Sequence, residues 1–233
     1  MKTLTKLTTV ETKLLIREPG AVFSLLIPLF ILLVFGTTIP EGDTFLLPMA
    51  ITLAIGMVGL YLLPTTLATY RERGILRRLS VTPIHPGNLL TVQVLLQLVL
   101  TVSAVCLLLM IGSGLLGAHT PRAPGFLTVF LLGAAAMFSV GLLLAALATN
   151  GRSANGFGVL LFFPLAYLGG LMQPPDQMPD VLALAGGYTP MGALRQSLHG
   201  LWSSGTLMAP PLITMAGYAV VLSYVAARHF RWE

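Results

Sequence analysis

Long stretches without a charged residue alternate with short charged segments along the whole chain. The uncharged stretches run over 19–40, 44–70, 79–121, 123–151, 153–175 and 196–227. A helix needs about 20 apolar residues to cross the roughly 30 Å hydrocarbon layer of a bilayer. We therefore predict one membrane-spanning helix in each stretch, near 21–39, 45–69, 89–115, 125–148, 156–172 and 207–227. The fifth of these is the shortest and contains Pro164.

The composition excludes a soluble domain and a disordered chain. Of 233 residues, 55% are hydrophobic and only 9% are charged, and the mean hydropathy is +0.87. Soluble domains carry about 25% charged residues because their surface needs them, and disordered segments are poor in apolar residues. A single cysteine, Cys106, excludes a disulfide framework and a multi-cysteine metal site. The sequence therefore predicts an integral membrane protein.

The basic residues predict how the spans are oriented. If the N-terminus is cytoplasmic, only Arg122 and Arg195 of the 13 basic residues fall on the outer side. Cytoplasmic loops of membrane proteins carry an excess of Lys and Arg. We predict a multi-pass protein of the cell membrane with both termini in the cytoplasm. The net charge of +5 is then a topology signal, and no basic soluble face is left to bind nucleic acid.

The first 18 residues have the pattern of an amphipathic helix. At 100° per residue, one side carries basic residues and the opposite side leucines, namely Lys2, Lys6, Lys13 and Arg17 against Leu4, Leu7, Leu14 and Leu15. Such a helix lies along the membrane surface with its apolar side in the lipid, so we predict an interfacial helix over 1–18. Glu11 and Glu18 interrupt the apolar side. They either mark its polar boundary or pair with an arginine from another cytoplasmic segment.

The longest predicted cytoplasmic loop, 71–86, combines basic and apolar residues. Its basic residues are Arg71, Arg73, Arg77 and Arg78, its acidic residue is Glu72, and its apolar residues include Ile75, Leu76 and Leu79. Gly74 and Pro83 bound a predicted short helix, and Pro86-Gly87-Asn88 is predicted as the turn into the third span. A short amphipathic helix of this kind suits docking into a groove of a soluble partner. The alternative is that the arginines anchor the loop to anionic lipid.

Three stretches of the sequence resemble the membrane subunits of ABC-2-type exporters, a class that includes the permease of the daunorubicin exporter and polysaccharide and ABCG-type transporters. The first is Arg17-Glu18-Pro19, ahead of the first span. The second is the set Glu72, Gly74, Leu79, Thr82 and Pro83 in the first loop. The third follows the fifth span and comprises Leu171, Pro174, Pro175, Met178, Pro179, Thr189, Pro190, Leu194 and Arg195. The chain departs from the family at Tyr188-Thr189-Pro190-Met191, where Asn-Pro followed by a small or hydroxyl residue is more common.

The resemblance implies a fold and a set of partners. It implies an all-α integral membrane protein in which 1–233 form one transmembrane domain of six spans. The loop 71–86 would hold a coupling helix that sits on a separate ABC ATPase, present in two copies. Glu11, Arg17 and Glu18 would make the contacts of the interfacial helix. A second permease subunit, identical or homologous, would meet this chain at its second and fifth spans.

The segment 173–206 would close the extracellular side as a pair of re-entrant helices, with Pro190, Met191, Leu194 and Arg195 as the outer gate. The residues themselves agree, because Thr189 is a suitable N-cap residue and Pro190 suits the first helical position. Leu194, Leu198 and Leu201 then follow at helical spacing. We predict a helix of about ten residues, too short to cross the bilayer. A helix lying flat on the outer surface is the alternative.

The sequence offers no means of powering transport or of catalysis. A phosphate-binding loop needs a lysine after a glycine-rich turn, whereas all three lysines lie within the first 13 residues. Ion-coupled carriers bury acidic residues in the membrane, and no predicted span contains one. His85, His119, His199 and His229 form no zinc-protease pair. We expect no cofactor or metal in this chain, with ATP and Mg bound by the partner ATPase. A passive channel or a membrane scaffold is the alternative function, and an intramembrane hydrolase a more distant one.

Large uncharged side chains on the second and fifth spans are the candidates for a substrate path. They are Met57, Tyr61, Phe162, Phe163 and Tyr167. A wall of aromatic and thioether groups without charge favours hydrophobic or amphiphilic cargo, such as a drug-like natural product or a lipid. Each of these side chains could instead face lipid or a neighbouring helix.

Overall fold

The computed structural model describes residues 18–37, 44–74, 86–118, 121 and 123–229. These ranges are mainly α-helical and contain no strand, as predicted for an all-α protein. The helices are α1 Pro19–Gly36, α2 Leu46–Glu72, α3 Pro86–Leu115, α4 Ala123–Leu147, α5 Gly151–Leu168, α6 Asp180–Gly187, α7 Pro190–Ser203 and α8 Ala209–His229. A π-helical segment at Val58–Leu62 interrupts α2, and a short 3₁₀ turn at Pro175–Gln177 precedes α6.

Among the described helices, α1, α2, α3, α4 and α8 are long and apolar enough to span a membrane. Each of them covers a predicted span within a few residues. The remaining predicted span corresponds to α5, whose 18 residues extend about 27 Å. The first turns of α5 carry Arg152 and Asn155, which lower its apolar content. Five of the six predicted spans therefore have a helix of sufficient length and apolar composition, and the sixth stays a prediction.

The boundaries of the predicted loop 71–86 differ from the structure at both ends. Arg71 and Glu72 belong to the last turn of α2, and Gly74, with a φ of 64°, ends the helix in a conformation that glycine adopts without strain. Pro86-Gly87-Asn88 forms the first turn of α3 and not the predicted turn, because proline lacks only an amide that the first helical turn leaves unpaired.

Of the five helices long and apolar enough to span a membrane, α2 and α4 are the most buried and α1, α3 and α8 are peripheral. The apolar window of α2 is mostly buried, whereas those of α1 and α8 are mostly exposed. Phe30, Met110 and Val220 lie on the exposed faces, where each is about two-thirds exposed or more. Membrane helices expose such side chains to lipid and pack through small residues. The bundle thus has a packed interior around α2 and a lipid-compatible exterior.

Three glycines bring the backbones of α2, α4 and α5 into direct contact at the π-helical segment. A Cβ atom at Gly141 of α4 would overlap the carbonyl oxygen of Gly59, and one at Gly158 of α5 would overlap that of Leu60. A Cβ at Gly59 itself would lie 2.9 Å from the Met137 backbone. Close approach of this kind needs residues without a side chain. The π-helical segment is therefore held between two neighbouring helices.

Candidate functional site

A groove of about 470 Å³ lies between α1, α2 and α5. Four of the five residues predicted for the substrate path line it, namely Met57, Tyr61, Phe162 and Phe163. The sequence did not predict the contribution of α1, which adds Phe23, Ile27 and Ile31, nor that of Leu171 and Met172 beyond α5. The groove thus has three walls, and two of them are the predicted helices.

The lining of the groove is apolar along its whole length. Tyr61 is the only lining residue whose side chain carries a nitrogen or oxygen atom. The rings of Phe162 and Phe163 meet edge to face, with centroids 5.9 Å apart. Phe23 and Phe163 are both more than half exposed, so the groove opens on the outside of the described helices. Such a surface binds by shape and dispersion contacts, because it offers few polar partners.

The structure places Tyr167 outside this groove. Its hydroxyl lies 3.4 Å from Oε1 of Gln173, to which it donates a hydrogen bond. The amide Nε2 of Gln173 in turn donates to the backbone oxygen of Gln177 at 2.7 Å. Tyr167 therefore connects the end of α5 to the segment that leads into α6.

Glu18, at the start of α1, lies against the last turns of α2. The Thr66 hydroxyl lies 3.4 Å from both of its carboxylate oxygens. Burial raises the pKa of Glu18 above its ordinary value of 4.5, while the Thr66 hydrogen bond and the charge of Arg73 act in the opposite direction. The hydrogen-bonding partner of the Glu18 carboxylate among the described residues is thus Thr66, and the pairing of Glu18 with an arginine stays a prediction.

We expect Glu18→Gln to remove a pH dependence of stability. With a raised pKa in the folded state, Glu18 favours folding below the pKa of the unfolded chain, and this contribution is lost as the pH rises through the folded pKa. Glutamine keeps an acceptor for Thr66 and has no charge to desolvate. Melting temperatures of the detergent-solubilised protein between pH 4 and pH 8 should therefore decline less for Glu18→Gln than for wild type. Thr66→Val should steepen the decline, and a parallel response of all three proteins would contradict the prediction.

Glu72 reaches from the last turn of α2 to the first turn of α5. Its Oε2 accepts a hydrogen bond of 3.0 Å from the backbone amide of Gly151. The Asn150 side chain caps the same helix by accepting from the Ser153 amide at 2.8 Å, and Ser153 Oγ accepts from the Asn150 amide at 3.2 Å. The Asn150–Ser153 spacing is a capping signal that the sequence contains. No local sequence pattern predicts the contact of Glu72 with Gly151, because the two residues are 79 positions apart.

The start of α7 matches the predicted cap. Thr189 Oγ1 accepts a hydrogen bond of 3.0 Å from the Gly192 amide, and Pro190 is the first helical residue. The helix has 14 residues, more than the predicted ten or so, and extends about 21 Å. It is still too short to cross a bilayer.

The first turns of α7 pack inside the bundle. Met191 packs against Gly56, near the middle of α2, and Leu194 against Gly133, near the middle of α4. Leu201 packs close to Gly125, at the beginning of α4. α7 therefore begins about halfway along the bundle and runs towards the end at which α2 and α4 start. Pro190, Met191 and Leu194 are buried, so these predicted gate residues form part of the packed interior.

Arg195, the fourth predicted gate residue, connects α7 to the end of α5. Its Nε donates a 2.6 Å hydrogen bond to the backbone oxygen of Gly169, and its guanidinium carbon lies 5.9 Å from the ring centroid of Phe45. A cation near the last carbonyl groups of a helix is favourable. Because Leu171 lines the groove, this contact joins the predicted gate to one end of the groove.

Several predicted site residues lie outside the described part of the chain. They are Glu11 and Arg17 of the interfacial helix, and Arg77, Arg78, Leu79, Thr82 and Pro83 of the coupling loop. Of that loop, Arg71, Glu72, Arg73 and Gly74 are described. Within the described residues, no three His, Cys, Asp or Glu side chains lie together as a metal ion would require.

Comparison with known proteins identifies the family. No curated protein sequence matches the chain. The sequence profile described as ABC-2 type transporter matches residues 3–192, which is most of the chain and includes α1 to α6. Its members are the membrane-spanning permease components of ABC transporters and are not themselves catalytic. The chain therefore belongs to the ABC-2 type transporter family.

Proposed function

We propose that this permease moves an uncharged hydrophobic or amphiphilic molecule out of the cell through the groove between α1, α2 and α5. The observation that carries the proposal is the lining of the groove, in which Tyr61 is the only residue with a polar side-chain atom. A drug-like natural product or a lipid fits such a surface. A charged cargo would lose its hydration there without gaining a partner.

The dimensions of the groove support entry from the bilayer. Along α2 its lining extends from Met49 to Tyr61, which corresponds to about 18 Å of helix. That is more than half of the roughly 30 Å hydrocarbon layer. The exposed rings of Phe23 and Phe163 border the opening. A molecule dissolved in the lipid can therefore enter past α1, the wall that a second subunit on α2 and α5 would not face, without passing through water.

Energy for transport would come from a partner, since members of the family associate with an ABC ATPase. We propose two ATPase copies, which bind ATP and Mg, and a second permease subunit that faces this one across α2 and α5. The loop between α2 and α3 would dock on the ATPase, with both termini of the chain on the same, cytoplasmic side of the cell membrane. Closure of the ATPase pair would move this loop and open the path on the side of α7.

Phe163→Ala tests the assignment of the groove to transport. The alanine removes a large part of one wall, so the preference among cargo molecules should change by about tenfold, the effect of about 1.4 kcal/mol of contact. The measurement is ATP-dependent transport of Nile red and of a fluorescent phospholipid by the permease–ATPase complex in proteoliposomes.

Leu184→Ala is the matched control for Phe163→Ala, because Leu184 is an exposed apolar residue of α6 outside the groove. It should leave the ratio of the two transport rates unchanged. An unchanged ratio in Phe163→Ala at equal protein level would remove the groove from the path. Transport by the permease without its ATPase would contradict the ATP-driven mechanism.

A further inference from the structure

The hydrogen bond between Glu72 and Gly151 is not needed to start α5. The capping box formed by Asn150 and Ser153 already satisfies the amide groups that an N-terminus leaves open at those two positions. Glu72 supplies the acceptor for one further amide, that of Gly151, from a different helix. Its side chain is exposed and could point into solvent, yet it is bonded to α5.

The surrounding contacts hold α5 close to α2 at this end of the bundle. A Cβ atom at Gly151 would overlap the hydroxyl of Thr69. Ala68, Ala148 and Ala154, from α2, the end of α4 and α5, form a small buried cluster of their own. About two turns further along α5, Gly158 packs on the Leu60 backbone. The two helices are thus joined at Gly151 and again at Gly158, which lines the groove.

We propose that Glu72 is a positioning residue that makes α5 follow the last turn of α2. Glu72 is the last residue of α2, so among the described contacts between α2 and α5 its hydrogen bond is the one nearest to the loop predicted to receive the movement of the ATPase. With Glu72 bound to α5, a displacement of that loop reaches both the α2 and the α5 wall of the groove. This inference rests on the proposed function, since it assumes that the loop moves with an ATPase.

The chemistry of the Glu72–Gly151 contact suits a connection that must persist while the loop moves. A carboxylate that accepts from a backbone amide forms a charge-assisted hydrogen bond, which is about twice as strong as a neutral one. A negative charge is also favourable at the N-terminus of a helix. Asparagine or aspartate at this position would be one methylene shorter and would need a backbone shift to reach Gly151. Glutamine would preserve the reach and the acceptor but not the charge.

The first experiment measures the distance between the two helix ends. In a Cys106→Ser background, Arg73→Cys and Arg152→Cys place spin labels directly after α2 and in the first turn of α5, both at exposed positions. The permease–ATPase complex in nanodiscs is measured by double electron–electron resonance with and without ATP. With Glu72 intact, the distance distribution should be narrow and the same in both states. Glu72→Ala should broaden it and make it respond to ATP, and Glu72→Gln should restore most of the narrow distribution.

A second pair of variants removes the donor and leaves Glu72 in place. Thr69→Ala makes room for a Cβ at position 151, so Thr69→Ala/Gly151→Ala keeps the amide and Thr69→Ala/Gly151→Pro eliminates it. Proline is tolerated at the first helical position, and the extended Asn150 backbone, with φ −152° and ψ 171°, suits a residue before proline. We expect only the proline variant to broaden the distance distribution.

The second measurement is the rate of ATP hydrolysis with and without Nile red. A substitution that only destabilised the fold would lower both rates together. Glu72→Ala should reduce the ratio of stimulated to unstimulated hydrolysis by about tenfold, the effect of losing a hydrogen bond to a charged group. Labels at Leu127→Cys and Ile213→Cys on α4 and α8, both exposed, should give the same distance in every variant.

The possible outcomes separate a failure of the proposed role of Glu72 from a failure of the proposed function of the groove. An unchanged 73–152 distance in Glu72→Ala, or equal behaviour of the two Gly151 variants, would overturn the positioning role. If Glu72→Ala also alters the 127–213 distance, this substitution disturbs the fold. The comparison of Thr69→Ala/Gly151→Ala with Thr69→Ala/Gly151→Pro then tests the role of the hydrogen bond. If Nile red stimulates no hydrolysis in the wild-type complex, the proposed cargo class fails, whereas the distances still test Glu72.

Discussion

Gly158→Ala is expected to separate α5 from α2 and to unfold the permease at a lower temperature, whereas Gly156→Ala, two positions earlier on the same helix, is expected to be harmless. A Cβ at Gly158 would overlap the carbonyl oxygen of Leu60, but a Cβ at Gly156 meets nothing within 4 Å. The two substitutions add the same methyl group to the same helix. The difference between them therefore measures the helix–helix contact alone.

The expected loss of stability in Gly158→Ala depends on whether side chains or backbone must move to make room for the methyl group. Overpacking a core costs about 1–3 kcal/mol when side chains can adjust. At Gly158 the obstacle is backbone, and it belongs to the π-helical segment that is also packed against Gly141, so we expect about 3 kcal/mol or more. Gly156→Ala should instead gain up to about 1 kcal/mol, because alanine favours the helix over glycine.

The measurement is retention of the monodisperse protein after heating in detergent, followed by size-exclusion chromatography. A thiol-reactive dye is unsuitable, because Cys106 is exposed in the folded protein and would react before unfolding. Equal melting temperatures for the two glycine variants would mean that α5 does not rest on the Leu60 backbone. Both the groove and the connection through Glu72 would then need revision.

The six helices that correspond to predicted spans could be located from the sequence because charged residues are costly inside a bilayer. The uncharged stretch 44–70, for example, became α2, which ends at Glu72. The helix start at Pro190 was also predictable, since the cap of Thr189 depends on local chemistry alone. Uncharged residues do not reveal which side of a helix is buried, however, because lipid and protein interior are equally apolar.

The limits of the sequence are clearest at the groove and at Glu72. Met57, Tyr61, Phe162 and Phe163 were reached through the family resemblance, but Phe23 of α1 was not, since its position depends on how α1 packs against α2 and α5. The π-helical segment Val58–Leu62 has no composition that distinguishes it from α-helix. Glu72 was expected to face the ATPase, and its contact with Gly151 arises only once α2 and α5 are packed together.

Val159→Trp is expected to weaken binding of an apolar molecule in the groove by about 30-fold or more, and Leu160→Trp is expected to leave it unchanged. Val159 lines the groove, whereas Leu160, the next residue of α5, does not and is 71% exposed. An indole at position 159 occupies much of the 470 Å³. Both positions face out of the packed interior, so neither substitution needs to disturb the fold.

The affinity of the groove depends on contacts that the indole would replace. Lipid chains are as apolar as the lining, so transfer from the bilayer provides little hydrophobic driving force and dispersion contacts must supply the affinity. About twenty lost atom pairs at about 0.1–0.2 kcal/mol each amount to about 2–4 kcal/mol, or a Kd weaker by about 30-fold or more. Nile red fluorescence titrations of the purified variants, matched in oligomeric state, measure this directly. Equal affinities for Val159→Trp and Leu160→Trp would place the bound molecule elsewhere, and the lining of this groove would then no longer indicate the cargo.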